Sequence, residues 1–293
     1  MLLKTVRPRR PVDDAKFREI LTLGHQFGTP DVSEVYSPPR VATLAEQFGM
    51  RPGFSLDRTV LDPLDNKPWN FDCPEKRRRA KDLLRTVKPK LLIGSPMCRP
   101  FSNLMNLNKH RMGPEKWKIM MEHGVRHLKF MCELYQIQLD AGRLILHEHP
   151  AGATSWNEGC FEKIARQDGV EIVVGHMCRF KMTSKDADGE GLVKKPTKFM
   201  TNSASIGRQL ERKCKGGHRH VHLISGRPAA AAEYPDELCN NILKAIGIWK
   251  VRKMTETTAG REAYSLFEFS RQDLGALKKS PGRRKCWASI STT

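Results

Sequence analysis

The residues best suited to chemistry follow two short apolar runs. After Lys90–Gly94 comes the turn Ser95–Ser102 (SPMCRPFS), with Cys98 beside Arg99. A free cysteine titrates near pH ~8.5, and a neighbouring cation increases its thiolate fraction. Glu148 and His149 follow the second run, Arg143–His147 (RLILH). Cys98 is therefore a candidate nucleophile. A hydrolase that pairs Cys98 with His147 or His149 ranks last, because no group is evident to orient the imidazole.

Both runs read as buried strands in a regular alternation of strands and helices. The predicted strands are Val32–Ser37, Phe54–Asp57, Lys90–Gly94, Arg143–His147 and Val170–Val174. The predicted helices are Arg40–Phe48, Glu75–Val87, Pro114–Asp140, Phe161–Arg166 and Tyr234–Lys250. This pattern predicts an α/β fold with an open, doubly wound, mostly parallel sheet of the Rossmann type. Such sheets bind ligands at the carboxyl ends of their strands, which is where Cys98 and Glu148 stand.

The alternation also suggests a division of the chain. Residues 1–30 read as a basic extension with one helix, and residues 31–250 as the α/β domain. Residues 175–217 are polar and are predicted to be an insert over one sheet edge, with a role in substrate recognition. A strand is expected at 218–225. Residues 251–293 read as a basic, partly disordered tail.

The chain is strongly basic, with 51 Lys and Arg against 32 Asp and Glu and a net charge of +19. The cations cluster at Arg7–Arg10, Lys76–Arg79 and Lys278–Lys285, which predicts a nucleic-acid partner. No apolar run reaches the ~18–20 residues of a membrane span, and no signal peptide is evident. The eight cysteines include no Cys-x₂-Cys pair, so we expect reduced thiols. These features predict an intracellular, nuclear, monomeric protein that binds no membrane.

The order of these segments resembles the cytosine-C5 DNA methyltransferases, over residues 31–248. In that family a Pro-Cys turn followed by Phe-Ser carries the nucleophile, and a later strand end carries a glutamate. Gly94–Ser102 matches in its Gly, first Pro, Cys and Phe-Ser, and Glu148 stands where the glutamate is expected. The resemblance implies a class I methyltransferase-like fold, S-adenosylmethionine as cofactor, and DNA rather than RNA as substrate.

The resemblance also implies roles for individual residues. Cys98 would add to C6 of cytosine and Glu148 would hydrogen-bond or protonate N3, so that C5 takes the methyl group. The base must be flipped out of the duplex first. The implied cofactor contacts are Tyr36, Ser37, Pro38, Asp57, Asn70 and Pro96. The Tyr234-Pro235 segment would return to the cofactor pocket. Candidate nucleic-acid contacts are Arg99, Ser102, Lys194, Lys195, His218, Arg219 and His220.

Two features leave alternatives open. Pro38 and Pro39 stand where the family has a Gly-rich loop, and proline removes amide donors. A catalytically inactive nucleic-acid-binding protein of a mobile element is therefore the second hypothesis, and the sequence also resembles segments of transposon-type polyproteins. His218, His220 and His222 alternate, so with Cys214 they could bind a metal, or they could form a polar strand face that contacts phosphates. We assign no metal site from the sequence.

Overall fold

A computed structural model describes residues 28–223 and 233–255 of the 293-residue chain. Within these ranges six strands form one mixed sheet, and two hairpins lie outside it. The sheet strands are β1 (Val32–Val35), β2 (Pro52–Leu56), β5 (Leu91–Gly94), β6 (Leu144–Pro150), β7 (Glu171–His176) and β10 (Pro196–Thr201). The hairpins pair β3 (Leu61–Asp62) with β4 (Lys67–Pro68), and β8 (Thr183–Asp186) with β9 (Gly189–Leu192). The predicted α/β class with mostly parallel strands is confirmed, and it is compatible with a Rossmann-like fold.

Helices flank this sheet. They are α1 (Val41–Ala45), α2 (Pro74–Val87), α3 (Asn103–Leu107), α4 (Lys109–Met112), α5 (Pro114–Asp140), α6 (Gly159–Ala165), α7 (Ala204–Leu210) and α8 (Asp236–Thr255). Short 3-10 turns cover Glu46–Phe48, Arg99–Phe101, Thr154–Asn157 and Met177–Phe180. Helix α5 has the predicted bounds because Pro114 suits a first helical position and apolar residues then recur at helical spacing. Its buried face, which includes Leu128, Met131 and Tyr135, belongs to the main hydrophobic core.

The strand order β2-β1-β5-β6-β10-β7 contains a reversal. Strand β1 pairs in parallel with both β2 and β5, and β5 pairs in parallel with β6. From β1 the chain first adds β2 on one side and later adds β5 and β6 on the other. In open α/β sheets, ligands bind outside the carboxyl ends of the strands at such a reversal. The turns that follow Val35 and Gly94 are therefore the expected place for a ligand.

The structure departs from the prediction between residues 175 and 223. Residues 196–201, predicted to lie in an insert over one edge, form β10, which pairs antiparallel with both β6 and β7. The sequence pattern did not indicate this strand, because the strand buries polar residues. Thr201, for example, donates its hydroxyl to the Ile145 carbonyl at 2.6 Å. The strand predicted at 218–225 is wrong for residues 218–223, where His220 makes an isolated bridge to Leu192.

Other predictions concern residues beyond those described. The N-terminal helix, the tail from residue 256 onward, and the basic clusters Arg7–Arg10 and Lys278–Lys285 lie outside the described residues. The chain divides into two compact units after Gly247, and the described part of the second is the end of α8, residues 248–255. Among the described helices, none combines the length and apolar character needed to traverse a bilayer.

Candidate active site

The turn after β5 carries the predicted nucleophile, and α5 fixes where this turn begins. The Tyr135 hydroxyl of α5 lies 3.1 Å from the Gly94 carbonyl oxygen and 3.0 Å from His147 Nδ1. A Cβ atom on Gly94 would lie 2.5 Å from Met131 Sδ and would also overlap the Tyr135 hydroxyl. Only glycine therefore allows α5 to pack this closely against the end of β5, and Cys98 follows four residues later.

A cavity of about 250 Å³ beside this turn contains both predicted catalytic side chains. Cys98 reaches it from the turn after β5, and Glu148 reaches it from β6, the strand that pairs with β5. The other lining residues are Tyr36, Ser37, Pro38, Arg40, Ser95, Pro96, Met97, His149, Lys195, Glu233 and Tyr234. The structure thus brings Cys98 and Glu148 together with the predicted cofactor residues of the β1 loop, at the reversal in strand order.

The Glu148 carboxylate has hydrogen-bonding capacity that the protein does not use. Its side chain is 9% exposed, and Oε1 makes no hydrogen bond within the described residues. The Lys195 ammonium lies 3.6 Å from this oxygen, beyond hydrogen-bonding distance. A buried polar atom without a partner costs free energy, and in native proteins such an atom calls for an explanation. A ligand donor placed in the cavity would satisfy it.

The surroundings of Cys98 disfavour the thiolate form of its side chain. Burial raises the pKa of Cys98 above its ordinary value, and the negative charge of Glu148 raises it further. Lys195 has the opposite effect on this pKa. Arg99, which the sequence suggested as the activating cation, is exposed and lies outside the cavity lining. The cation that acts on the thiol is therefore Lys195.

His149 holds the cysteine turn in place. Its Nε2 lies 2.8 Å from the Pro96 carbonyl oxygen, and its Nδ1 lies 2.7 Å from Ser155 Oγ. Because a carbonyl can only accept, Nε2 carries the proton and Nδ1 accepts from the serine. Burial lowers the pKa of both His149 and His147, so both imidazoles are neutral. Since His149 uses both nitrogens elsewhere, the geometry does not favour a hydrolase in which it activates Cys98.

The loop after β1 has an unusual conformation. Tyr36 adopts a φ of 62°, in the left-handed region that favours glycine. The buried Glu34 carboxylate accepts hydrogen bonds from the backbone N–H groups of Arg40 at 3.0 Å and Ala42 at 2.8 Å. Burial raises the pKa of Glu34. Glu34 therefore occupies backbone N–H groups at the start of α1, and Pro38 has no backbone N–H that could donate to a ligand.

A second cavity, of about 200 Å³, shares Tyr36, Ser95 and Met97 with the first. Its other lining residues are Asp57, Arg58, Trp69, Asn70, Phe71, Asp72 and His127. The structure therefore brings Asp57 and Asn70 together with Tyr36, as the resemblance implies. Asp57 Oδ1 accepts hydrogen bonds from the backbone N–H and the hydroxyl of Thr59, at 2.9 and 2.8 Å, which fixes the carboxylate. Aromatic rings beside a fixed carboxylate suit a nucleoside.

An ion cluster supports the aromatic wall of this second cavity. Asp62 of β3 lies 2.6 Å from Lys76 Nζ and 2.5 Å from Arg79 Nη1, and the three side chains are only 1%, 6% and 5% exposed. Lys76 Nζ also lies 5.0 Å from the centre of the Trp69 ring. The basic cluster Lys76–Arg79 was expected to contact nucleic acid; Lys76 and Arg79 are instead buried and paired.

Sequence reasoning missed a polar network beside the second cavity. The Tyr36 hydroxyl lies 2.7 Å from His127 Nδ1, and His127 Nε2 and His123 Nε2 lie 3.0 and 2.5 Å from Asp72 Oδ1. Burial lowers the pKa of His127, so the neutral ring accepts at Nδ1 and donates from Nε2. The ligand atoms of Asp72, His123 and His127 are close enough to hold a metal. The spacing of His123 and His127, four residues apart on α5, was the available signal.

The segment before α8 also reaches the site, as the resemblance implies. Tyr234 lines the first cavity, and its hydroxyl hydrogen-bonds to Ser95 Oγ. Burial raises the pKa of Tyr234, so the hydroxyl keeps its proton. The preceding residue, Glu233, forms an ion pair with Arg40 of the β1 loop. These contacts join the segment to the turns after β1 and β5.

The candidate nucleic-acid residues fall at different places. Lys195 lines the first cavity, whereas Lys194 and Arg99 are exposed and Ser102 is half-buried. His218, Arg219 and His220 contribute to neither cavity. The Arg219 guanidinium makes a two-contact ion pair with Asp186, at 2.8 and 2.9 Å. The structure thus brings Lys195 to the candidate active site. It places residues 218–222, called the histidine segment below, elsewhere.

No protein-family model and no curated protein matches this chain. What makes the region a candidate site is its own geometry. Two cavities that share three lining residues lie at the reversal in strand order, and a buried carboxylate oxygen without a hydrogen-bond partner among the described residues faces one of them.

Proposed function

We propose that the protein methylates C5 of cytosine in DNA, using S-adenosylmethionine and a covalent adduct to Cys98. The observation that carries this proposal is that Cys98 and Glu148 line one cavity, where Glu148 Oε1 has no hydrogen-bond partner among the described residues. An adjoining cavity with a fixed carboxylate and aromatic rings supports a nucleoside-containing cofactor. The class I methyltransferase-like form of the α/β fold is part of the same proposal.

The lining residues fit the cofactor in chemical type. Asp57 would accept from the ribose hydroxyls, and Trp69 and Asn70 would contact the adenine, because these groups line the second cavity. Tyr36 lines both cavities and would contact the cofactor. S-adenosylmethionine supplies an electrophilic methyl group.

The reaction assigns one task to each catalytic side chain. Cys98 gives up its proton to solvent, and the thiolate adds to C6 of cytosine, which makes C5 nucleophilic. Glu148 hydrogen-bonds or protonates N3 and so stabilises the charge that develops on the ring. After C5 has accepted the methyl group, solvent takes the C5 proton, the electron pair of that bond restores the C5–C6 double bond, and Cys98 leaves as a thiolate. Because the negative charge of Glu148 raises the pKa of Cys98, a proton on this carboxylate would favour the thiolate, and the protonated carboxyl group would donate to N3.

The substrate base must leave the duplex before it can enter the first cavity. Extrusion costs a few kcal/mol of lost stacking and pairing. Contacts between cationic side chains and phosphates can offset this cost, and the chain carries a net charge of +19. Exposed Lys194 and Arg99 flank the first cavity along the chain and are the proposed phosphate contacts nearest to it.

A methyl-transfer assay with tritiated S-adenosylmethionine and duplex DNA tests the proposal. We expect wild-type protein and Cys73→Ala, which changes an exposed thiol outside both cavities, to incorporate label, and Cys98→Ala to incorporate none. Glu148→Gln should lower the rate by about 10²–10³-fold, as for other groups that stabilise developing charge. DNA with 5-fluorocytosine should trap a covalent adduct in wild type but not in Cys98→Ala. Label transfer by Cys98→Ala would refute the mechanism.

A second candidate function is nucleic-acid binding without catalysis. The observation in its favour is that Glu34 already accepts from the amides at the start of α1, and that Pro38 has no amide to offer a cofactor. Calorimetric titration with S-adenosylmethionine separates the two candidates. Measurable heat supports the enzyme, whereas salt-sensitive DNA binding without such heat supports the binding protein.

A further inference from the structure

Four potential metal ligands converge at a distance in sequence from the catalytic turn. Cys178 lies in the 3-10 turn after β7, and Cys214, His218 and His220 lie in the segment after α7. Their ligand atoms all lie within 4.8 Å of one another. Cys214 Sγ is 3.6 Å from His218 Nε2 and 3.5 Å from His220 Nε2. These four residues are referred to below as the Cys₂His₂ cluster.

The spacing of these atoms matches the edges of a tetrahedral metal site. Zn–S bonds of about 2.3 Å and Zn–N bonds of about 2.0–2.1 Å place sulfur and nitrogen ligands about 3.5 Å apart in a tetrahedron. Two thiolates with two imidazoles form a donor set that selects zinc in tetrahedral geometry. We propose that the Cys₂His₂ cluster binds one zinc ion. Because four protein ligands fill the coordination sphere, the site is structural rather than catalytic.

The backbone around Cys214 is arranged to present its sulfur. The Gly216 N–H points to Cys214 Sγ at 3.3 Å, a contact that favours the thiolate form. The Cys214 N–H donates to His176 Nδ1 at 3.0 Å, which anchors the same turn to the end of β7. Gly216 and Gly217 have φ values of 82° and 79°, which side chains rarely adopt. Their tight turn returns the chain so that His218 reaches the sulfur. Such supporting contacts orient the ligands of a metal site.

The zinc would join the turn after β7 to the histidine segment. The β8–β9 hairpin contacts the histidine segment through the ion pair of Asp186 with Arg219 and through the hydrogen bond from Val221 N–H to the Leu192 carbonyl, at 2.8 Å. An isolated hairpin with two four-residue strands is marginally stable without such links. The metal would hold this hairpin and the segment against the turn after β7.

The same centre would position a residue of the first cavity. The Met177 N–H, next to Cys178, lies 3.0 Å from the Lys194 carbonyl oxygen and 3.3 Å from the Lys195 carbonyl oxygen. The Lys195 side chain lies beside Glu148. A zinc ion bound to Cys178 would therefore fix the backbone from which Lys195 extends. This role does not depend on the proposed methyl transfer, because a binding protein with the same fold would need the same support.

Metal analysis of the full-length protein tests the proposal. After removal of any affinity tag and of loosely bound metal, we expect one zinc ion per chain by inductively coupled plasma mass spectrometry. Cys178→Ser and Cys214→Ser should each lower this content at least tenfold. Cys73→Ser and His110→Ala, which change an exposed thiol and an exposed imidazole away from the cluster, should retain the metal.

Cobalt(II) substitution supplies a readout even if the cysteine variants fail to fold. Wild-type protein reconstituted with cobalt(II) should show intense tetrahedral d–d bands and a thiolate-to-metal charge-transfer band, and zinc should displace both. Wild-type protein that binds neither zinc nor cobalt(II) would overturn the proposal. So would a cobalt(II) spectrum without thiolate charge transfer, or a disulfide between Cys178 and Cys214 in freshly purified, metal-free protein. The assignment would also be rejected if Cys73→Ser and His110→Ala lost as much zinc as Cys178→Ser and Cys214→Ser.

Discussion

Replacing Asp62 by asparagine should destabilise the protein strongly, since Lys76 and Arg79 would then be buried without their main counterion. Breaking a buried ion pair from one side costs about 3–5 kcal/mol. Asp65, which is 29% exposed and also contacts both cations, remains, so we expect a loss near the lower end, about 3 kcal/mol. With an m-value of about 3 kcal/mol per M in urea, the unfolding midpoint should fall by about 1 M.

Asp82→Asn is the matched control, because it makes the same chemical change at the surface, on the helix that carries Lys76 and Arg79. Asp82 lies 3.2 Å from Arg78, and the two side chains are 36% and 63% exposed. A surface pair of this kind contributes about 0–1 kcal/mol, so the midpoint should move by less than about 0.3 M. Urea unfolding followed by far-ultraviolet circular dichroism measures both. If Asp62→Asn unfolded at the same midpoint as Asp82→Asn, the buried cluster would not have the structural role assigned to it.

Three further outcomes are expected. Burial, and then the charge of Glu148, raise the pKa of Cys98, so alkylation of Cys98 by iodoacetamide should accelerate as the pH rises past the ordinary cysteine range. At any pH at which the thiol is not fully ionised, Cys98 should be alkylated faster in Glu148→Gln than in wild type. Equal rates in the two proteins would contradict this coupling. Gly94→Ala should lower the free energy of unfolding by about 1–3 kcal/mol because its methyl group overlaps Tyr135, and Gly94→Ala/Tyr135→Phe should recover part of this loss in urea unfolding. Asp57→Asn should weaken S-adenosylmethionine binding about tenfold in calorimetry, and an unchanged Kd would remove Asp57 from the cofactor site.

The sequence was sufficient for features that depend on local pattern. Helix α5 was predicted with its observed bounds because Pro114 and a repeating apolar face define it within one segment. The strand ends at Gly94 and near Glu148 were predicted because buried parallel strands read as continuous apolar runs. The placement of Cys98 and Glu148 in one cavity then follows from the general position of ligand sites in such sheets.

Features that depend on distant partners were not predictable in the same way. Strand β10 contains buried threonines whose hydroxyl groups are satisfied only by strands remote in sequence, so its pattern reads as polar. Lys76 and Arg79 read as a surface patch because their partner, Asp62, lies on a separate hairpin. The histidines at 218 and 220 suggested a strand by alternation, whereas their contacts with Cys214 fix a turn.

The position of β10 in the sheet has a consequence for folding during synthesis. Strand β10 lies between β6 and β7 in the sheet but follows both in the sequence. The ribosome must therefore extend the chain through Thr201 before either strand can pair with β10. Until then β6 has one open edge and β7 has no strand partner, so both could pair with other polypeptides. Pairing across so many residues is also slow compared with local folding. A chain whose synthesis stops before Pro196 would therefore carry Cys98 and Glu148 but lack the complete six-stranded sheet. We expect such a chain to bind chaperones rather than to fold.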